Sequence, residues 1–209
     1  MISIKSVSHQ YTGGHSISFK DWQIRHGEQW LLLGESGSGK TTLLHILTGI
    51  LQPKAGEVMI NETSIYSLSS KALDQFRGQN IGIIFQRPHL IKSLSISDNL
   101  VLAQSFAGLP TDLNRVNEVL GSLGIADKKH AYPNQLSQGQ LQRVSIARAA
   151  INKPELLIAD EPTSSLDDRN ATAVLELLLQ QSGINQATLV VATHDKRVKD
   201  AFSNTYQLS

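Results

Sequence analysis

Trp30-Leu31-Leu32-Leu33-Gly34-Glu35-Ser36-Gly37-Ser38-Gly39-Lys40-Thr41-Thr42 is the stretch whose reading decides the fold. A short apolar run ends in a glycine-rich segment, and Leu43, Ile46, Leu47 and Ile50 follow at helical spacing. The pattern predicts a strand, a tight turn and a helix starting near Lys40, which is the context of a phosphate-binding loop. Glycines let the backbone close around an anion with its N–H groups pointing inward. The helix start adds unpaired donors and the positive end of its dipole. Lys40 is placed to reach terminal phosphates, and the Thr41 hydroxyl to ligate Mg²⁺. A bound nucleotide is implied; the reaction is not.

Composition narrows the class. The 209 residues suffice for one large core, and 40% hydrophobic with 18% charged residues is ordinary for a globular protein. Nineteen Lys and Arg against eighteen Asp and Glu leave a formal charge of +1, too balanced for a binder of phosphate backbones. The chain has no cysteine, which excludes disulfides and thiolate metal sites and fits an intracellular protein. The seven histidines are scattered without metal-ligand spacing. No secretory leader is evident at Met1-Ile2-Ser3-Ile4-Lys5, and no window approaches the roughly 18 apolar residues of a membrane span, so membrane association must come through a partner.

Outward from the loop, the chain predicts an α/β protein. Ile2, Ile4 and Val7, then Ile17, Phe19, Trp22 and Ile24 after a Gly13-Gly14 turn, predict strands. Tyr11, just before that turn, reads equally as hairpin packing or as a platform for a purine ring. Pro53 to Gly56 reads as a turn, Glu57 to Ile60 as a strand and Ser69 to Arg77 as a helix. Ile81 to Phe85 predicts a buried strand of a parallel sheet. Gln86 follows at its carboxyl end, either as a strand cap or as a neutral ligand to Mg²⁺ or water.

Between residues 87 and 153 the character turns helical, with segments at Ser97–Ala107, Asp112–Leu123 and from Ser137 to Ala150. That is too large for an ordinary crossover and is expected to be an inserted subdomain. Residues 1–86 and 154–209 would then form the nucleotide-binding core with an N-terminal antiparallel β subdomain. Leu156-Leu157-Ile158-Ala159-Asp160-Glu161 predicts a buried strand delivering two acids to the sheet edge. Asp160 is expected to hold Mg²⁺ through water, and Glu161 to orient or deprotonate an attacking water. A helix over Arg169–Gln181 and a strand over Thr188–Thr193, ending at His194-Asp195, complete the pattern.

Taken in order, the phosphate loop, Gln86, Leu136-Ser137-Gln138-Gly139-Gln140, Leu156 to Glu161, Ser165-Leu166-Asp167 and His194 resemble the ATP-binding-cassette (ABC) ATPases over essentially the whole chain. The Leu-Ser-x-Gly-Gln element, with Gln142-Arg143 and Ala147-Arg148-Ala149, is the diagnostic part. Arg77, Ile81 to Gln86 and Asp98-Asn99 look most like the lipoprotein-releasing and macrolide-export type.

The resemblance implies a phosphate-loop NTPase core with Tyr11 stacking on adenine, Gly34 to Thr42 as the Walker A loop and Asp160-Glu161 as the end of Walker B. Gln86 would sense γ-phosphate and Mg²⁺, His194 would contact the γ-phosphate, and Asp167 would sit at a dimer seam. Ser137 alone reads as a plain helix cap. In this family, however, Ser137, Gly139 and Gln140 would face ATP held by the Walker A loop of a second copy. Gln138 departs from the more usual glycine, which is tolerated if its φ is negative and strained if it is positive.

The implied function is the cytoplasmic ATP-hydrolysing subunit of a transporter on the inner membrane, acting as a head-to-tail homodimer with ATP and Mg²⁺ on a separate permease. The segment from Pro88 to Ser97, with His89, Leu90, Ile91 and Leu94, would be the landing surface for that permease or simply subdomain core. An ATP-gated coupling ATPase in a cell-division or cell-wall complex is the alternative. A DNA-repair ATPase fits poorly, because the chain lacks both a coiled-coil insertion and a basic surplus.

Overall fold

The computed structural model describes every residue except Thr12, Gly14, Ser165, Asp195 and Ser209, together with the side chains of Lys196 and Arg197. Gly14 of the expected turn, Ser165 before Asp167 and Asp195 after His194 therefore lie outside the described residues. In chain order the elements begin with β1 (Ile2–Gln10), β2 (Ser16–Ser18), β3 (Trp22–Ile24) and β4 (Gln29–Leu33). After α1 (Lys40–Leu47) come β5 (Ala55–Ile60), β6 (Thr63–Ser64), α2 (Ser70–Asn80) and β7 (Ile81–Ile84). Three helices follow, α3 (Ile96–Phe106), α4 (Leu113–Ser122) and α5 (Gln138–Ala150). The chain closes with β8 (Leu156–Asp160), α6 (Asp168–Asn185), β9 (Thr188–Ala192) and β10 (Asn204–Gln207).

Two sheets result. The all-parallel sheet has the order β10-β4-β9-β8-β7. The antiparallel sheet runs β2-β1-β5-β6, with β3 also paired to β1. Strands of the parallel sheet are apolar at consecutive positions because both faces are covered. Leu31, Leu157, Leu189 and Val191 point into a core shared with α3, α4, α5 and α6. Leu32, Ile158, Val190 and Ala192 point into a second core with α1 and the antiparallel sheet. The helix α1 that carries the phosphate loop is thus clamped between two sheets, with Leu43, Leu44, Ile46 and Leu47 essentially inaccessible.

Helix starts follow their caps. Ser69, Ser95, Asp112, Ser137 and Asp167 each accept a backbone N–H from the first turn of the helix that follows. Buried Asn99 holds the loop before α3 by accepting from Ile91 N at 2.8 Å and donating to the carbonyls of Ile91 at 3.1 Å and Ser95 at 2.9 Å.

Several expected boundaries are corrected. Pro53 to Gly56 is not all turn, because β5 starts at Ala55, which pairs with Ser8 beyond a bulge in β1. Ser6 has φ 51°, and a Cβ on Gly56 would lie 2.5 Å from the Ser6 carbonyl oxygen, so that glycine accommodates the bulge. The bulge also shifts the buried face of β1 from Ile2 and Ile4 to Val7. Ile50 lies outside the apolar stripe of α1: the helix ends at Leu47, Gly49 takes φ 69°, and Ile50 is exposed. β7 stops at Ile84, one residue before Phe85. The C-terminal strand β10 was not foreseen; its Tyr206 stacks on Trp22, with ring centroids 4.3 Å apart. No described helix is long and apolar enough to cross a membrane.

Candidate functional site

Parallel register delivers the chemistry to one edge. Leu32 pairs with Ala192, and Asp160 also pairs with Ala192, so β4, β8 and β9 all end at the same level. The phosphate loop, Asp160-Glu161 and Thr193-His194 leave the sheet together there, and Gln86 follows the neighbouring β7. Ligands bind at this carboxyl edge in open α/β sheets.

Glycines shape the loop, two through a positive φ and one through lack of room for a side chain. Gly37 and Gly39 take φ 82° and 97°, and a Cβ on Gly34 would fall 2.4 Å from Ser38 Oγ. Gly39 caps α1 without a side-chain hydrogen bond, which leaves the first-turn amides for an anion. Lys40 is buried and folds back, donating from Nζ to the carbonyls of Gly34 at 2.9 Å and Glu35 at 3.0 Å.

Thr41 Oγ1 donates to Asp160 Oδ2 at 2.8 Å. The other oxygen, Asp160 Oδ1, is buried and has no hydrogen-bond partner among the described residues. Burial pushes the Asp160 carboxyl above its ordinary pKa, and the Thr41 hydrogen bond opposes that rise only in part. Thr41, Asp160 and Gln86 supply only oxygen donors to a cation, and the orphaned Oδ1 is a ready ligand; the set fits Mg²⁺, which takes few protein ligands and completes its shell with water and phosphate.

Glu161 is held from two sides. Its Oε2 accepts from Thr193 Oγ1 at 3.0 Å, and its Oε1 lies 2.8 Å from His194 Nδ1. Behind it, Gln86 Nε2 donates to Ser164 Oγ at 3.2 Å, and Ser164 Oγ donates to the Glu161 carbonyl at 3.0 Å. Tyr11 is half exposed; its hydroxyl lies 3.0 Å from Thr42 Oγ1, and its ring meets His9 edge-on, with centroids 4.7 Å apart.

A cleft of about 660 Å³ joins Tyr11, Ser36, Gly37, Gly39, Lys40, Thr41 and Thr42 to Gln86, Asp160, Glu161 and His194. Glu35 and Ser38 line an adjoining hollow with Gln207 and Leu208, and Gly34 lies beneath Ser38. Four other expected site residues, Ser137, Gly139, Gln140 and Asp167, line neither the cleft nor that hollow.

Those four gather elsewhere. Ser137 and Gln140 form a reciprocal capping box at the start of α5, with bonds of 3.3 and 3.0 Å. A Cβ on Gly139 would lie 3.3 Å from Asn170 Oδ1, and Asn170 is tied to Asp167 at the start of α6. Two helix N-termini therefore sit side by side on the surface. Gln138 is the first residue of α5 and has no positive φ, so it is accommodated without strain.

Two contacts had no forecast role. Thr193 was visible only as the end of a strand. Arg148, on the same helix as Ser137, donates to the carbonyls of His89 at 2.7 Å and Pro88 at 2.9 Å. Its arginine identity was the signal, since a planar fork suits two adjacent carbonyls. Of the segment from Pro88 to Ser97, Ile91 is exposed, whereas Leu90 packs against the core.

The family model described as "ABC transporter" matches residues 18–164. The lipoprotein-releasing system ATP-binding protein LolD 1 of Rhodopirellula baltica is 34% identical over 214 residues, which covers 100% of this chain and 93% of that protein. The macrolide export ATP-binding/permease protein MacB of Nitrosomonas europaea is 38% identical over 205 residues, 95% of this chain. The chain spans only 31% of MacB's length. A dimeric structure of a post-hydrolysis state of the ATP-binding cassette MJ0796 bound to ADP and Pi superposes with a TM-score of 0.89 at 33% identity, covering 100% of this chain and 94% of that one.

Proposed function

We propose, from the premise that this chain belongs to the ABC transporter ATPase family, that it hydrolyses ATP to ADP and phosphate and drives a separate membrane-spanning permease through ATP-dependent head-to-tail dimerisation. The observation that carries the proposal is the separation of two half-sites. The cleft brings Tyr11, the glycine-rich loop and Glu161 together, while the Ser137–Gln140 helix start lies outside it. In a head-to-tail pair the second chain's Ser137 and Gly139 would close the cleft over the γ-phosphate.

In that cleft Tyr11 would stack on the adenine, and the amides from Gly34 to Thr42 would wrap the phosphates. ATP would draw Lys40 Nζ from the Gly34 and Glu35 carbonyls onto the terminal phosphates. Thr41, Asp160 and Gln86 would hold Mg²⁺, which when bound neutralises charge on the β- and γ-phosphate oxygens. Glu161 is set to take a proton from a water as the water oxygen attacks the γ-phosphorus in line. The bond to the β-γ bridging oxygen breaks, and ADP leaves with the electron pair. His194 would turn from Glu161 to the γ-phosphate. Loss of that phosphate would release the pair, which converts hydrolysis into movement.

The permease would meet the region after Gln86. A groove of about 580 Å³ lies there, walled by Phe85, His89 and Phe106 and flanked by Arg77 and Arg148. The likeness to LolD 1 and MacB favours export or lipoprotein release as the work done.

Phosphate release from ATP by the wild type, Lys40→Ala and Glu161→Gln tests the proposal. Both substitutions are expected to lower the rate by about 100-fold or more. Hydrolysis at the wild-type rate in Glu161→Gln would overturn it.

A further inference from the structure

Thr193 is fully buried at the exit of β9, one residue before His194. The parallel register that pairs Asp160 with Ala192 makes Glu161 and Thr193 neighbours at the sheet edge. Glu161 N also donates to the Ala192 carbonyl at 2.8 Å, and Glu161 has φ 48°, a conformation uncommon outside glycine. The backbone is thus bent and pinned where the carboxylate emerges.

The two carboxylate oxygens have unequal neighbours. Oε2 accepts from Thr193 Oγ1, a buried hydroxyl on the sheet, at 3.0 Å. Oε1 meets His194 Nδ1 at 2.8 Å, and the His194 side chain is 70% exposed. One anchor is fixed by the core; the other stands in solvent and is free to leave. A general base must present one lone pair within hydrogen-bond reach of its water.

We propose that Thr193 is a positioning residue for hydrolysis: by holding Oε2 of Glu161 it leaves Oε1 as the oxygen that receives the water proton once His194 turns away. The proton passes from water to Oε1, the water oxygen bonds to the γ-phosphorus, and ADP departs with the electrons of the broken P–O bond. Without the Thr193 hydroxyl, Glu161 would lose the side-chain hydrogen bond that remains when His194 moves, and its carboxylate would rotate among unproductive orientations. This inference rests on the proposed ATPase function.

The test compares Thr193→Val, which keeps the shape and removes the donor, with Thr193→Ser, which keeps the donor. For Thr193→Val, kcat is expected to fall about tenfold or more, since a hydrogen bond to a charged group is being removed, with KM for ATP and Tm little changed. Thr193→Ser should retain most of the wild-type kcat. In a Glu161→Gln background, adding Thr193→Val should slow single-turnover hydrolysis no further, because the base it positions is already gone. With ATP, Thr193→Val should also accumulate as dimer beyond the wild type.

An unchanged kcat in Thr193→Val, an equal loss in Thr193→Ser, or effects that multiply with Glu161→Gln would overturn the inference. So would a raised KM with an unaltered kcat. Wild-type protein that fails to hydrolyse ATP, or hydrolysis indifferent to Glu161→Gln, overturns the proposed function and this inference with it. Hydrolysis that needs Glu161 but ignores Thr193→Val overturns the inference alone.

Discussion

Thr41 and Asp160 are joined across the sheet edge by a 2.8 Å hydrogen bond to Oδ2, which leaves Asp160 Oδ1 buried and without a partner among the described residues. Burial raises the Asp160 pKa above its ordinary 3.8 in the nucleotide-free protein, so the charged form is held there at a cost. A raised folded pKa gives stability that is fully present below the ordinary value and lost as pH rises through the folded value. Asp160→Asn should therefore keep the Thr41 contact, abolish that part of the pH dependence, and leave the nucleotide-free Tm at pH 7 equal or higher. The same variant should lose Mg²⁺-dependent ATP hydrolysis. Thermal melts from pH 4 to 7 check the first part; a fall in Tm at pH 7 would count against it.

Tyr11 touches Thr42 through its hydroxyl and His9 through its ring, so its contributions separate by substitution. Tyr11→Phe keeps the stacking face and should change KM for ATP by about twofold at most. Tyr11→Ala would remove the proposed platform, with an expected cost of about 1–3 kcal/mol, or roughly 5- to 160-fold in KM, and kcat largely preserved. Steady-state kinetics distinguishes them. Equal behaviour of the two variants would remove Tyr11 from the base site.

Arg148 is tied to the carbonyls of Pro88 and His89 and lies on the helix that starts beside Ser137. Desolvation lowers its pKa, yet an arginine remains charged. Arg148→Lys keeps the charge and forfeits the fork, with an expected loss of about 1–3 kcal/mol. Amide hydrogen exchange should rise selectively in the segment after Gln86. Uniform exchange throughout the chain would show that the contact does not fasten this loop.

Local signals were legible and long-range pairings were not. The apolar run before Gly34 and the glycine spacing fix a strand, turn and helix within a few residues, and Leu156 to Asp160 announces its own burial. The start of β5 depended on the bulge at Ser6, almost fifty residues away, which no local pattern around Gly56 reveals. β10 is a four-residue strand at the edge of its sheet, with a single buried residue, Tyr206, inside it. Thr193 became interesting only when the register placed it against Glu161. Ser137 read as a cap and is one; the role proposed for it would involve a second molecule.

Dimerisation on ATP is the central claim, and the molar mass of Glu161→Gln by light scattering, with saturating ATP and Mg²⁺, tests it most directly. Blocking hydrolysis should trap the closed pair, so the mass should double from the 22.9 kDa of one chain when ATP is added and fall back when it is removed. A mass that stays at 22.9 kDa with ATP bound would contradict the claim.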